Sequence, residues 1–232
     1  MNTMFQTHNV DLATASLREL HTQLYAADAE TASWQISNPR GRHSIAAGLN
    51  APLRVTVKGH VGYYAAGMNQ LASVLIAGNA GTGVAENMMS GTVRVLGNAS
   101  QAAGATGQGG LLVIDGDAGA RCGISMKGID IVVRGSVGHM SAFMAQSGNL
   151  VVCGDAGDAL GDSIYEARLF VRGAVKSLGA DCEKKEMTET DRIILAGLLA
   201  KAEIADMDPS DFTLYGSARR LYHFHVDNAA SY

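Results

Sequence analysis

The carboxylates of Asp162 and Glu166 are the chain's clearest candidates for acid–base chemistry, because they lie four residues apart. A carboxylate pair transfers protons or binds a cation when both side chains face one cleft. The surrounding sequence has no long insertion from which such a cleft could be built, and functional loops normally need one. We therefore expect no catalytic residue in this chain.

Thiol and imidazole groups are the other reactive side chains. The cysteines Cys122, Cys153 and Cys182 lie 31 and 29 residues apart. This spacing fits neither a disulfide framework nor a C-x-x-C metal knuckle, so we expect three reduced structural thiols. His223 and His225 alternate onto one strand face, but they have no third ligand nearby, and we expect no metal site.

The sequence around these groups repeats every 19 residues. A glycine returns at that interval in seven consecutive positions: Gly59, Gly78, Gly97, Gly116, Gly135, Gly154 and Gly173. Aliphatic residues stand four and two positions before each of them, from Val55 and Val57 to Leu169 and Val171. A spacing of two indicates a strand, because side chains along an extended chain alternate between faces.

A period of 19 residues without insertions predicts strands that stack in coils. The pattern is typical of an all-β fold, a single-stranded right-handed parallel β-helix of about seven coils. Each corner glycine is then needed either for a positive φ or for a close approach of the backbone.

Three segments follow from where the repeat starts and stops. We assign residues 1–52 to an N-terminal helix and capping segment, 53–182 to the β-helix, and 183–232 to a C-terminal helix and interface tail. Leucines predict an amphipathic helix from Asp11 to Ala27. A capping pattern from Thr188 to Asp191 predicts a second helix, and we expect the two helices to close the two ends of the solenoid.

Composition excludes several classes of function. The net charge of -4 and the pI near 5.9 argue against a nucleic-acid or membrane-surface role, since both need clustered Lys and Arg. No apolar run approaches the ~20 residues of a membrane span, and the N-terminus lacks a signal-peptide pattern. We expect a cytoplasmic protein.

Large side chains interrupt the repeat in the half of each coil that follows the glycine corner. Two interpretations remain open: Met and Tyr fill gaps in the core, or they form a flat face that docks onto another protein. The aromatic tail after residue 211 is also expected to pack on a neighbour. The residues predicted to contact a partner are Tyr63, Tyr64, Met68, Met88, His139, Tyr165, Tyr215, Arg219, Tyr222 and Phe224.

The glycine corners resemble those of a known domain. Gly59-His60-Val61-Gly62 and its counterparts are similar to the GXGXG β-helix at the C-terminus of the glutamate synthase large subunit, and Tyr215 to Arg219 is similar to that domain's closing Thr-Gly-Ser motif. The segments 62–69, 121–128 and 160–167 look like the free-standing GXGXG subunit of N-methylglutamate synthase (methylamine-glutamate N-methyltransferase) and its siblings in glutamate-synthase-like operons.

The resemblance implies a noncatalytic subunit in a hetero-oligomer. A glutamine-amidotransferase-like subunit and a subunit with FMN and an iron–sulfur cluster would be the partners, and this chain would hold no cofactor. Residue 2 is Asn2, not the cysteine nucleophile of an amidotransferase. Three alternatives stay open: the GXGXG subunit of a related amidotransferase and FMN oxidoreductase complex with another substrate, an autonomous solenoid enzyme, or a subunit whose Arg121 and Lys127 line the shared active site.

Overall fold

The computed structural model describes residues 6–27 and 32–219. Eleven strands form one sheet, and two α-helices and a 3-10 helix (Pro209–Asp211) complete the described chain. The helices are α1 (Leu17–Ala26) and α2 (Glu189–Lys201). The strands are β1 (Gln6–Asp11), β2 (Ala32–Ser37), β3 (Arg54–Lys58), β4 (Ser73–Ile76), β5 (Thr92–Val95), β6 (Leu111–Ile114), β7 (Lys127–Val133), β8 (Ser147–Val152), β9 (Arg168–Val171), β10 (Cys182–Lys185) and β11 (Thr213–Ser217).

Consecutive strands from β1 to β9 pair in parallel, which confirms the predicted parallel β-solenoid. From β3 to β9 the register equals the sequence period, so that Val55 pairs with Val74 and Val74 with Val93, with one shift at Lys127 in β7. A second ladder of single bridges runs from Val61 through every coil to Val175. The parallel ladder also includes β1 and β2, which precede the predicted boundary at residue 53.

The inner core consists of the aliphatic pairs that define the repeat. All fourteen are buried, and Ala or Val two residues after each glycine packs beside them. Burying a Val, Leu or Ile side chain contributes about 1.5–3 kcal/mol, so this column supplies much of the folding free energy.

Helix α1 closes the N-terminal end, as predicted, but it is shorter than the sequence pattern suggests. Asp11 belongs to β1, where it pairs with Ser37, and α1 begins after the Ser16 cap. Leu20 and Leu24 join the inner core, and the Tyr25 hydroxyl donates a 2.8 Å hydrogen bond to a coil carbonyl. The helix therefore covers the open first coils.

Helix α2 begins at the predicted capping box, in which Thr188 and Asp191 exchange hydrogen bonds. The prediction that it closes the second end is wrong. It packs on the outer face of the sheet, because the middle residues of β6 to β9 are apolar there and contact its Leu195, Leu198 and Leu199: Val113, Val132, Val151 and Phe170. The sheet ends instead in the antiparallel strands β11 and β10, which pair beyond β9.

Four arginines that lie in the strands or directly after them bind acidic residues of the C-terminal segment. Arg94 contacts Glu203 at 2.7 Å and also Asp115, which directly follows β6, at 3.0 Å. The other pairs are Arg134 with Asp206, Arg168 with Asp191, and Arg172 with Asp211. Most of these groups are partly exposed, so each pair contributes little alone, but together they hold α2 and the segment that follows it against the sheet.

Candidate functional site

One broad surface is formed by the half of each coil that follows the glycine corner. We call it the turn-side face, and it comprises the exposed residues of segments 63–71, 82–90, 101–109, 120–128, 139–147 and 158–166. Its backbone alternates into the left-handed region, with φ of 57°, 52° and 55° at Tyr64, Ala66 and Met68. The segments still stack by hydrogen bonds, as from the Tyr64 amide to the Thr82 carbonyl. Six coils thus present one continuous, backbone-braced surface.

Large side chains on these segments divide between core and surface. Met88 and Met126 are fully buried, so the prediction that Met88 contacts a partner is wrong. The two methionines occupy equivalent positions in their coils, and side chains at this position point into the core. Asn69, Ala145 and Ile164, which occupy it in other coils, are also buried. The exposed members are Tyr63, Tyr64, Met68, Leu71, Met89 and Met144. Met88 and Met126 therefore fill the core, whereas docking of the exposed residues onto another protein stays a prediction.

The predicted cations lie on the same face. Arg121 belongs to the column of stacked residues that begins with Tyr64, and Lys127 to the column that contains Met89. Both side chains are exposed and form no hydrogen bond or ion pair with another residue in the described part of the chain. His139, also exposed, lies one coil beyond Arg121 and accepts its amide hydrogen bond through the backbone carbonyl.

Glu86 is a residue of this face that the sequence analysis missed. Its Oε2 and the Tyr64 Cδ1 lie 2.6 Å and 2.8 Å from the point that a Cβ on Gly83 would occupy. Burial raises the pKa of Glu86. An alignment of the coils could have identified Glu86, because its position is held by Gly67 in the coil before and by Ala105 in the coil after.

A second surface is a cleft between the last coil and β11. It brings together Tyr165, Tyr215 and Arg219, which were predicted separately as partner contacts. Arg219 forms an ion pair with Asp181, and desolvation raises the pKa of Tyr215. The cleft is polar, and its lining also includes Glu166, Arg168, Lys185, Glu186 and Asp191. The other predicted contacts of the tail, Tyr222 and Phe224, lie outside the described residues, as do His223 and His225.

Asp162 and Glu166 do not form a catalytic pair in this cleft. The Asp162 carboxylate accepts hydrogen bonds from the Ser163 hydroxyl at 2.8 Å and from the Ala180 amide at 3.3 Å. Glu166 lines the cleft, whereas Asp162 is not among the lining residues. The Asp162 side chain is therefore used to join two coils.

The three cysteines are free thiols, as predicted. Burial raises the pKa of Cys122 to about 12 and the pKa values of Cys153 and Cys182 to about 11. Within residues 6–27 and 32–219, no three His, Cys, Asp or Glu side chains come together in a way that could hold a metal ion. The described residues therefore do not fit an iron–sulfur cluster, which needs several converging thiolates.

In the described ranges, no helix combines the length and hydropathy needed to cross a lipid bilayer.

Comparison with known proteins gives one clear relationship. No protein-family model matches the chain, and no solved structure matches it. The chain is 60% identical over 225 residues to Protein GlxC of Rhizobium meliloti (strain 1021), covering 96% of this chain and 99% of that protein. Identity at this level over nearly the whole of both chains means that this chain belongs to the same family as Protein GlxC.

Proposed function

We propose that this chain is the noncatalytic scaffold subunit of a glutamate-synthase-like complex. Its partners would be a glutamine-amidotransferase-like subunit and a subunit that carries FMN and an iron–sulfur cluster. The complex would be of the N-methylglutamate synthase type, which converts methylamine and L-glutamate into N-methyl-L-glutamate and ammonia. A related complex that acts on another substrate is the alternative at the level of the reaction.

The observation that carries this proposal is the turn-side face. It exposes Tyr63, Tyr64, Met68, Met89 and Met144 on a braced array of coils. Tyr and Met are enriched in protein interfaces, and exposed apolar patches on a rigid surface mark sites of protein association. The resemblance of the glycine corners to the GXGXG domain supplies the class of partner.

Reconstitution tests the scaffold role. The chain is purified alone and after coexpression with the amidotransferase-like and flavoprotein subunits from the same genome. The expected result is a colourless, inactive chain when alone, and a stable complex with flavin absorbance and methylamine-dependent formation of N-methylglutamate when coexpressed. A chain that runs as an active homo-oligomer without partners would overturn the proposal. Activity of the complex with a different amine would retain the scaffold role and select the alternative substrate.

A second role for the chain is to contribute Arg121 and Lys127 to the flavin site of the complex. The observation that favours it is that both cations are exposed on one coil and unpaired among the described residues. The repeat offers matched substitutions, because Ala102 occupies the position of Arg121 and Gln108 that of Lys127. Arg121→Ala and Lys127→Gln should lower kcat of the assembled complex without altering assembly, whereas normal kinetics in both variants would remove this role.

A further inference from the structure

The charge of Glu86 and the apolar groups around it are distinctive on the turn-side face. Tyr64 and Met68 precede it by one coil and are 48% and 52% exposed, and the Met68 amide donates a 2.7 Å hydrogen bond to the Glu86 carbonyl. Met89, 45% exposed, follows three residues later in the same coil. We call the group Tyr64, Met68, Glu86 and Met89 the Glu86 patch.

Glu86 is only partly buried, and small residues adjoin it. Gly83 lies below it, and the same coil position holds Gly67 in the coil before and Ala105 in the coil after. Small residues therefore flank Glu86 in both neighbouring coils, and the exposed side chains of Tyr64 and Met68 form an apolar rim beside it. Neither Glu86 oxygen has a hydrogen-bond or ion-pair partner among the described residues.

A carboxylate that is partly desolvated and has no cation beside it is unfavourable in the free chain. Burial raises the pKa of Glu86, as expected for such a group. A partner that covers the apolar rim without supplying a positive charge would increase that penalty. The partner must therefore bring a cation to this point.

We infer that the Glu86 patch is a docking site for an arginine of a partner subunit, flanked by apolar side chains of that subunit. Arginine suits the geometry because its planar guanidinium binds a carboxylate through two hydrogen bonds and stacks on an aromatic ring. The Glu86 carboxylate and the edge of the Tyr64 ring both lie over Gly83, each within 3 Å of the point that a Cβ on this glycine would occupy. The neighbouring Tyr64 ring adds a cation–π contact. This inference rests on the proposed scaffold function and names the chemistry of its interface.

The repeat provides variants that the coil already accommodates. Glu86→Ala reproduces Ala105 of the next coil, Tyr64→Ala reproduces Ala102, and Glu86→Gln keeps the shape of the side chain while removing its charge. Glu189→Gln is the matched control, because Glu189 lies on α2, and its side chain is 80% exposed. Thermal unfolding of each isolated variant checks that the fold is retained.

The test measures binding of each variant to the purified amidotransferase-like and flavoprotein subunits. Glu86→Gln and Glu86→Ala should weaken binding to one of them at least tenfold, Tyr64→Ala should weaken it several-fold, and Glu189→Gln should stay within twofold. Crosslinking from a photoreactive phenylalanine analogue placed at position 64 should capture a partner peptide that contains an arginine. Alanine substitution of that arginine should then cost no further affinity in the Glu86→Gln background.

The outcomes separate the two proposals. If the wild-type chain assembles with the subunits and Glu86→Gln assembles equally well, the docking inference is wrong and the scaffold function stands. If the wild-type chain binds neither subunit, the proposed function fails and the docking inference fails with it. Saturable binding of methylammonium to the isolated chain, lost in Glu86→Gln, would assign the patch to a small cation instead. A shift from dimer to monomer in Glu86→Gln would assign it to a second copy of the chain.

Discussion

The Asn79 side chain occupies the space that a side chain on Gly97 would need. Its Oδ1 accepts the Asn98 amide hydrogen bond at 2.9 Å and lies 2.2 Å from the position of a Cβ on Gly97. The relationship recurs one coil on, where Asn98 accepts from the Asp117 amide and lies 2.1 Å from a Cβ on Gly116. Asp117, Ser136 and Asp155 continue this polar ladder through the later coils. The corner glycines therefore make room for the ladder and for the neighbouring backbone; of the seven, only Gly59 has a positive φ.

Gly97→Ala and Gly197→Ala should change stability in opposite directions. At Gly97 the new Cβ meets Asn79 Oδ1 and approaches the Gly78 carbonyl oxygen at 3.0 Å, so we expect a loss of about 2–3 kcal/mol. Gly197 is a helical residue with nothing within 4 Å of the new atom, so alanine should stabilise by about 0.5–1 kcal/mol. Urea unfolding measures both changes. Equal effects at the two sites would exclude crowding at the corner as the reason for glycine.

Asn98→Ala should remove one step of the polar ladder. The Asp117 amide then loses its side-chain acceptor, at an expected cost of about 0.5–1.5 kcal/mol because the site is exposed to water. Asn98→Asp is the matched control, since Asp117 and Asp155 already perform this role in other coils. Urea unfolding should show the control within about 0.5 kcal/mol of wild type. A control as unstable as the alanine variant would mean that the side-chain NH2 group of Asn98, not its accepting oxygen, stabilises the corner.

The inner half of the fold could be predicted from sequence because one constraint acts in every coil. A buried aliphatic pair and a crowded corner repeat with the same phase, so Val55 and Leu169 identify the same position. The location of α2 on the outer face of the sheet was also predictable, from the apolar runs of the strands that it covers. Strands β6 to β9 carry three consecutive apolar residues, as in Leu112 to Ile114, and strands covered on both faces have such runs.

The candidate site was less predictable because exposure on the turn side is set by left-handed backbone positions. Periodicity of two does not apply there, so sequence spacing alone does not separate the exposed Met68 from the buried Met88. Glu86 was missed because its significance comes from the small residues that replace it in adjacent coils. The cleft that joins Tyr165 with Tyr215 depends on β11 returning antiparallel to β9, which the repeat does not encode.

Phe170→Ala should release α2 from the sheet. Phe170 is fully buried in the cluster that contains Leu195 and Leu198, so its truncation should cost about 3–5 kcal/mol. Leu75→Ala is the matched control, because Leu75 occupies the same strand position but is only partly buried and lies outside that cluster. Urea unfolding and limited proteolysis of α2 give the readouts. Faster cleavage of α2 in the control than in Phe170→Ala would contradict packing on β6 to β9.

The alkaline stability of the protein should depend on Cys122. Burial raises its pKa to about 12, while the thiol in the unfolded chain titrates near 9.0. The unfolded state therefore releases this proton first, and the stability contributed by the neutral thiol is complete below pH 9 and is lost as pH rises toward 12. The slope from this one group approaches about 1.4 kcal/mol per pH unit between those limits.

Cys122→Ala isolates that contribution from the other titrating groups. Alanine suits the site because Ala65 and Ala103 occupy the same coil position. The variant should be less stable than wild type at pH 8, since it leaves a small cavity, but its stability should fall less steeply with pH. Urea unfolding at intervals from pH 8 to pH 10.5 gives the two curves, which should converge by about 1.4 kcal/mol per pH unit above pH 9.5. Parallel curves would show that the Cys122 thiol titrates alike in the folded and unfolded chains.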